Sequence, residues 1–135
     1  MAVKKVHSNC LETIKPVRDA LEVLNGKWKL SIIISVAVGN ERFTDIQDSI
    51  PGITPKVLTK ELKELEQHQL IRRSITNDYP AKITYHPEPY SATLNPIIFA
   101  LKDWGLNHRK KLFEKGYIME DIGETIKCLP VIEVL

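Results

Sequence analysis

The chain has 135 residues, of which 43% are hydrophobic and 27% are charged, and its formal net charge is +2. The length is typical of one globular domain, and a net charge so close to zero excludes a partner that is bound by overall charge alone. The two cysteines lack disulfide-framework or metal spacing. No segment has the roughly 18–20 apolar residues of a membrane span or the layout of a signal peptide, so we expect a soluble cytoplasmic protein.

The first predicted helix covers Val17 to Leu24. Apolar residues at the spacing i, i+3, i+4 and i+7 form one face of it, and Asn25-Gly26 provides a left-handed stop. Lys15-Pro16 immediately precedes this helix. Residues 1–14 are polar, mildly basic and without a clear period, so we expect them to form a flexible N-terminal arm.

The segment from Lys27 to Val38 is apolar nearly all round and is followed by Gly39-Asn40. Its β-branched residues would suit a buried strand equally well, but a segment of this length favours a helix. We therefore expect a helix at the centre of the core.

The segment from Phe43 to Glu66 has the organisation of a helix-turn-helix. Thr44 and Gln47 have the spacing of a capping box, which predicts the start of a first short helix. Pro51-Gly52 predicts a tight turn, and Thr54-Pro55 then supplies the N-cap hydroxyl and the first-turn proline of a second helix. This arrangement places the second helix in the major groove of DNA.

The second helix of the pair separates an apolar face from a basic face. Leu58, Leu62 and Leu65 form the apolar face at i, i+4 and i+7. The other face carries cations and a hydroxyl that can meet phosphates or base edges. The candidate DNA-binding residues here are Thr54, Pro55, Lys56, Thr59, Lys60 and Lys63. The alternative is an ordinary amphipathic helix with a solvated charged face, which the glutamates among the lysines favour.

Two extended segments, Leu70–Ile75 and Lys82–Tyr85, flank a stretch rich in turn-forming residues and predict a β-hairpin. A hairpin directly after a helix-turn-helix is typical of the wing in a winged helix. Its cations, Arg72, Arg73 and Lys82, suit flanking phosphates or a minor groove.

A long final helix is predicted from Asn95 to Lys115. A helix of about twenty residues spans ~30 Å, which is more than a small domain needs for its own core. Its apolar side therefore favours a contact between subunits, the alternative being a helix that only covers the core. That side is made of Ile97, Leu101, Trp104, His108 and Leu112. Residues 117–135 form an apolar tail, which either packs on a partner subunit or is disordered.

No catalytic or metal-binding constellation is recognisable in the sequence. The four histidines are scattered, and no nucleophile motif, phosphate loop or pair of active-site acids is present. We therefore expect no enzyme activity, no cofactor and no metal. Cys10 is a candidate redox-sensing thiol, although a lone cysteine near a terminus is more often inert.

These features together resemble the HxlR-type family of bacterial winged helix-turn-helix regulators, which are relatives of the MarR group. The resemblance covers residues 15–105 and rests on Gly26-Lys27-Trp28-Lys29-Leu30, Arg42-Phe43, Ile50-Pro51-Gly52-Ile53, Lys56-Val57-Leu58-Thr59, Leu62 with Leu65-Glu66, Tyr85 and Asp103-Trp104-Gly105. It implies a mainly α fold with a small β-hairpin (α+β) and a homodimer joined by the first and last helices, which binds double-stranded operator DNA. The dimer contacts that it implies include Val17, Leu21, Ile97, Leu101, Trp104 and Leu112.

The chain departs from the family pattern in three places. Many members have a cysteine immediately before the proline that matches Pro16, and some use it to sense oxidants, but this chain has Lys15 there. The redox role therefore does not carry over by position, and we expect DNA binding to be insensitive to mild oxidation. Pro87-Glu88-Pro89 replaces the usual Leu-Thr cap before the last helix, and the wing tip lacks its usual run of prolines.

We therefore expect one winged helix-turn-helix domain over residues 15–116, between the arm and the tail. The leading hypothesis is a sequence-specific transcriptional regulator that binds a pseudo-palindromic operator as a homodimer. The alternative is a winged-helix module that binds another protein without reading DNA. No motif identifies the operator, the sign of regulation or an effector.

Overall fold

The computed structural model describes residues 2–114. The helices are α1 (Ala2–Val23), α2 (Lys29–Ala37), α3 (Phe43–Ser49), α4 (Pro55–Gln67) and α5 (Asn95–Glu114). The strands are β1 (Ile71–Ile75) and β2 (Ile83–Pro87), and a 3-10 helix (Pro89–Leu94) leads into α5. The predicted mainly α class with a small antiparallel hairpin is confirmed. The predicted tail, residues 117–135, lies outside the described residues.

Helix α1 begins at Ala2, far upstream of the predicted start at Val17. The prediction treated Pro16 as the mark of a helix start, because a proline inside a helix has no N–H for the carbonyl four residues earlier. An apolar stripe nevertheless continues upstream past this proline at helical spacing, through Leu11, Ile14, Val17 and Leu21. Residues 2–14, expected to form a flexible arm, therefore belong to α1, and the predicted start was wrong.

Helix α2 lies at the centre of the core, as predicted. Ile32, Ile33 and Val36 are almost completely buried. The leucine stripe of α4 is buried as well. The other contributors to the core are Ile46 of α3, Ile50 and Ile53 of the turn, Leu70 and Ile71 of the hairpin, and Ile98 of α5. Every element from α2 to α5 therefore contributes to one hydrophobic core.

The helix-turn-helix forms between Phe43 and Gln67, and the start of α4 matches the prediction. Thr54 Oγ1 accepts a hydrogen bond from Val57 N at 3.3 Å, and Pro55 occupies the first turn. The start of α3 does not match. Arg42 is the N-cap, without a side-chain cap bond, because the helix begins one residue earlier and takes in Phe43, which packs against the core. Thr44 therefore lies inside α3, and the predicted capping box was wrong.

The hairpin is antiparallel, with Ile71 opposite Pro87 and Ile75 opposite Ile83. Tyr85 N donates a hydrogen bond to Glu41 O at 2.8 Å, which attaches the hairpin to the chain just before α3. After β2, Pro89 begins the 3-10 helix that leads into α5. Proline is compatible with that position because the first N–H of a helix needs no partner within it.

Candidate nucleic-acid interface

The candidate DNA-binding residues of α4 share the exposed side of the helix. Leu58, Leu62 and Leu65 occupy the opposite side and hold the helix against the core. The lysine side chains therefore extend away from the protein. The exposed set is Thr54, Pro55, Lys56, Thr59, Lys60 and Lys63.

The two threonines on this face differ in what they can offer to DNA. Thr59 Oγ1 donates to Pro55 O at 2.8 Å, so its proton is used within the helix. It can therefore accept a hydrogen bond from a base or present its methyl group. Thr54 Oγ1 accepts from Val57 N, so its O–H is directed elsewhere and can donate to a phosphate oxygen.

The structure separates the two arginines of the hairpin. Arg72 and Arg73 are both exposed, but neighbouring residues of a strand point to opposite faces. The Arg72 guanidinium lies 3.8 Å from Glu88 Oε1, a surface pair that offsets part of its charge. Arg73 and Lys82 are exposed. One face of the wing can therefore present only one of the two arginines to a given DNA surface.

A buried lysine contacts α4 on the flank between the leucines and the lysine face. Lys29, at the start of α2, is only 3% exposed. Its ammonium donates to Glu61 Oε2 at 2.5 Å, to Glu64 Oε2 at 2.6 Å and to Asn25 Oδ1 at 3.2 Å. Sequence reasoning did not identify this contact. The sequence feature that could have indicated this contact is a lysine at the start of the most apolar of the described helices.

The pKa shifts of Lys29 and Glu64 are those of an ion pair. Burial by itself lowers the pKa of the Lys29 ammonium, but its hydrogen bonds to Glu61 and Glu64 outweigh burial, and the pKa is raised. The hydrogen bond from Lys29 lowers the pKa of Glu64. Lys29 and Glu64 are therefore both charged at neutral pH.

Helices α1 and α5 leave apolar side chains outside the core. Every residue of α1 from Cys10 to Glu22 is exposed, including Leu11, Ile14, Val17 and Leu21. On α5, Ile97, Leu101 and Trp104 are also exposed, whereas Leu112 is half-buried. The Trp104 ring stacks on the His108 ring at a centroid distance of 4.7 Å. The positions among these that were predicted for the dimer contact are Val17, Leu21, Ile97, Leu101, Trp104 and Leu112.

The remaining predicted features concern Cys10, metals and membranes. Cys10 is exposed on α1. Residues 2–114 contain no group of three or more His, Cys, Asp or Glu side chains that could hold a metal ion. Nowhere in the described helices is there an apolar stretch of the length that a bilayer crossing requires.

Comparisons with known proteins agree with this geometry. A family model described as HxlR-like helix-turn-helix matches residues 23–113. Two uncharacterized HTH-type transcriptional regulators of Bacillus subtilis, YtcD and YdeP, each align over 97 residues. YtcD is 36% identical, and the alignment covers 72% of this chain and 77% of YtcD. YdeP is 33% identical, and the alignment covers 72% of this chain and 76% of YdeP. The structure of the redox regulator HypR in its reduced form is similar, with a TM-score of 0.67 and 33% identity over 73% of this chain and 98% of HypR.

Proposed function

Because this chain belongs to the HxlR-like helix-turn-helix family of transcriptional regulators, we propose that it binds a pseudo-palindromic DNA operator as a homodimer in the cytoplasm. The observation that carries the proposal is the exposed basic face of α4, at Lys56, Lys60 and Lys63. These ammonium groups can displace counterions from phosphates or donate to guanine edges, and either contact favours DNA over a neutral partner.

Helix α4 is the element that enters the major groove. Its N-terminus leads, so the O–H of Thr54 and the positive end of the helix dipole meet the phosphate backbone first. Thr59 and Lys60 follow one turn later and face the base edges. In this arrangement Lys56 and Lys63 contact phosphates at either end, which fixes the register of the helix on the duplex.

The homodimer is supported by the exposure of α1. A helix whose residues from Cys10 to Glu22 are all exposed is only marginally stable in water, and the proline inside α1 weakens it further. Packing its apolar stripe and the exposed side of α5 against a second copy would cover both faces. A two-fold symmetric dimer then presents two copies of α4, and the two half-sites are expected about 34–36 Å apart.

The wing extends the contact beyond the major groove. Arg73 and Lys82 are exposed cations that can reach flanking phosphates or an adjacent minor groove. Arg72 lies on the other face of β1 beside Glu88, so we expect its removal to weaken DNA binding less than removal of Arg73.

The test is selection of duplexes from a random library, followed by titration of the selected duplex at several salt concentrations. Lys60→Ala should fold normally because the side chain is exposed. If Lys60 meets phosphate, the slope of log affinity against log salt should fall by about one unit; if it reads a base, discrimination worth about 1–3 kcal/mol should disappear at one base pair. Lys110→Ala removes the same charge from an exposed position on α5 and should change neither quantity.

The decisive variant replaces Lys56, Lys60 and Lys63 together with alanine. Affinity for the selected duplex equal to that of the wild type would refute the assignment of α4 as the reading helix. Failure of the wild-type protein to enrich any duplex would instead favour the alternative, a winged helix that binds another protein.

A further inference from the structure

We propose that Lys29 is a positioning residue for operator recognition, which fixes the rotation of α4 about its own axis. The side chain itself does not reach the DNA-facing surface, because it is buried at the start of α2. The inference rests on the proposed DNA-binding function of α4 and adds to it a residue outside the helix-turn-helix.

The contact between Lys29 and α4 is directional. The leucine stripe attaches α4 to the core by apolar packing, which is non-directional. Lys29 instead donates to Glu61 and Glu64, which lie one turn apart on one flank of α4, at 2.5 and 2.6 Å. Charge-assisted hydrogen bonds weaken steeply with distance and angle, so the pair resists rotation in both directions.

The same end of α2 also lies against the turn before α4. The Trp28 side chain, next to Lys29, lies 3.8 Å from the position that a Cβ atom would occupy at Gly52. Gly52 has a φ of +85° and precedes the N-cap Thr54 by two residues. Trp28 therefore lies beside the turn that leads into α4, and Lys29 pairs with the middle of the helix.

The DNA-facing groups of α4 are sensitive to rotation of the helix. A helix with its side chains is about 10–12 Å in diameter, so a roll of about 20° moves the tip of a surface side chain by roughly 2 Å. A displacement of about 0.5 Å already impairs a positioned contact. A small roll would therefore redirect Thr59 and Lys60 without unfolding the helix.

A simpler role must be separated from positioning. Glu64 follows Lys60 by four residues on α4, so it lies beside the lysine face. Lys29 could therefore act only by neutralising two carboxylates that would otherwise repel phosphates. The two roles can be distinguished in a protein from which the lysine and both acids are removed together. Neutralisation predicts that this protein keeps its specificity for the selected duplex, and positioning predicts that it loses it.

The experiment compares Lys29→Met with the triple variant Lys29→Met, Glu61→Gln, Glu64→Gln. Each protein is titrated with the selected duplex and with a random duplex of equal length, and concentrations are corrected for the folded fraction measured by circular dichroism. Lys110→Met is the matched control, because it removes one lysine charge from an exposed position on α5. Positioning predicts that the ratio of specific to random affinity falls at least tenfold in both Lys29 variants and is retained in Lys110→Met.

The triple variant keeps the test valid if Lys29→Met alone does not fold, because it leaves no unpaired carboxylate. A wild-type specificity ratio in the folded triple variant would overturn the proposal and leave neutralisation as the whole role of Lys29. A ratio lowered equally in Lys110→Met would also overturn it. If the wild-type protein selects no duplex, the proposed DNA-binding function fails first, and this inference fails with it.

Discussion

Replacing Leu21 by alanine tests whether α1 packs against a second copy of the chain. Leu21 is 61% exposed in the isolated chain. Complete burial of a leucine side chain contributes about 1.5–3 kcal/mol, so covering the exposed part contributes about 1–2 kcal/mol in each subunit. A symmetric dimer contains this contact twice, and the variant should therefore lose about 2–4 kcal/mol of association free energy. At about 1.4 kcal/mol for each factor of ten, the dimer dissociation constant should rise roughly 30- to 700-fold.

Sedimentation equilibrium at several protein concentrations measures this dissociation constant directly. Asp19→Ala is the control, because Asp19 is exposed on the side of α1 opposite the stripe and its loss should leave dimerisation unchanged. The free energy of unfolding of the monomer should be nearly the same in both variants, since neither side chain is part of the core. Equal dissociation constants for Leu21→Ala and wild type, or a wild-type monomer at micromolar concentration, would refute the proposed dimer through α1.

Three further predictions address the core, the ion pair and the thiol. Leu62 is 2% exposed, so Leu62→Ala should lower the free energy of unfolding in urea by about 2–5 kcal/mol. A loss below about 1 kcal/mol would show that α4 is held mainly by polar contacts. Lys29 lowers the pKa of Glu64 below its ordinary value of 4.5. The ionised carboxylate of Glu64 therefore stabilises the fold above pH 4.5. This contribution to the free energy of unfolding is lost as the pH falls through the folded-state pKa of Glu64. Glu64→Gln should therefore flatten the decrease in unfolding free energy below about pH 4.5, relative to the wild type. Operator binding should be unchanged by diamide in the wild type and in Cys10→Ser, and release in the wild type alone would assign a sensing role to Cys10.

The helix-turn-helix was predictable because its signals are local. The N-cap of α4 needs only Thr54 and Pro55, and the leucine stripe needs only a spacing of three to four residues. The hairpin followed in the same way from two extended segments around a turn. The prediction failed where two signals conflicted. It gave Pro16 more weight than the apolar stripe of α1, and it gave Thr44 more weight than the packing of Phe43.

The ion pair of Lys29 could not be predicted from spacing. Glu61 and Glu64 are 32 and 35 residues away in the chain, and only the packing of α4 on α2 brings them together. In the sequence, both glutamates favoured an ordinary solvated helix face. In the folded chain, Glu61 and Glu64 are paired with a buried ammonium, so the exposed face of α4 is more strongly basic than its composition indicates.

The two tryptophans lie in places that make them separate optical reporters. Trp28 is half-buried against the turn between α3 and α4, beneath the Lys27 ammonium at 4.7 Å. Trp104 is 66% exposed on α5 and stacks on His108. Emission from a protein with Trp104→Phe reports the helix-turn-helix alone, and emission from a protein with Trp28→Phe reports the α5 surface alone. Operator binding and subunit association can therefore be followed independently in the same solution conditions, without an attached dye.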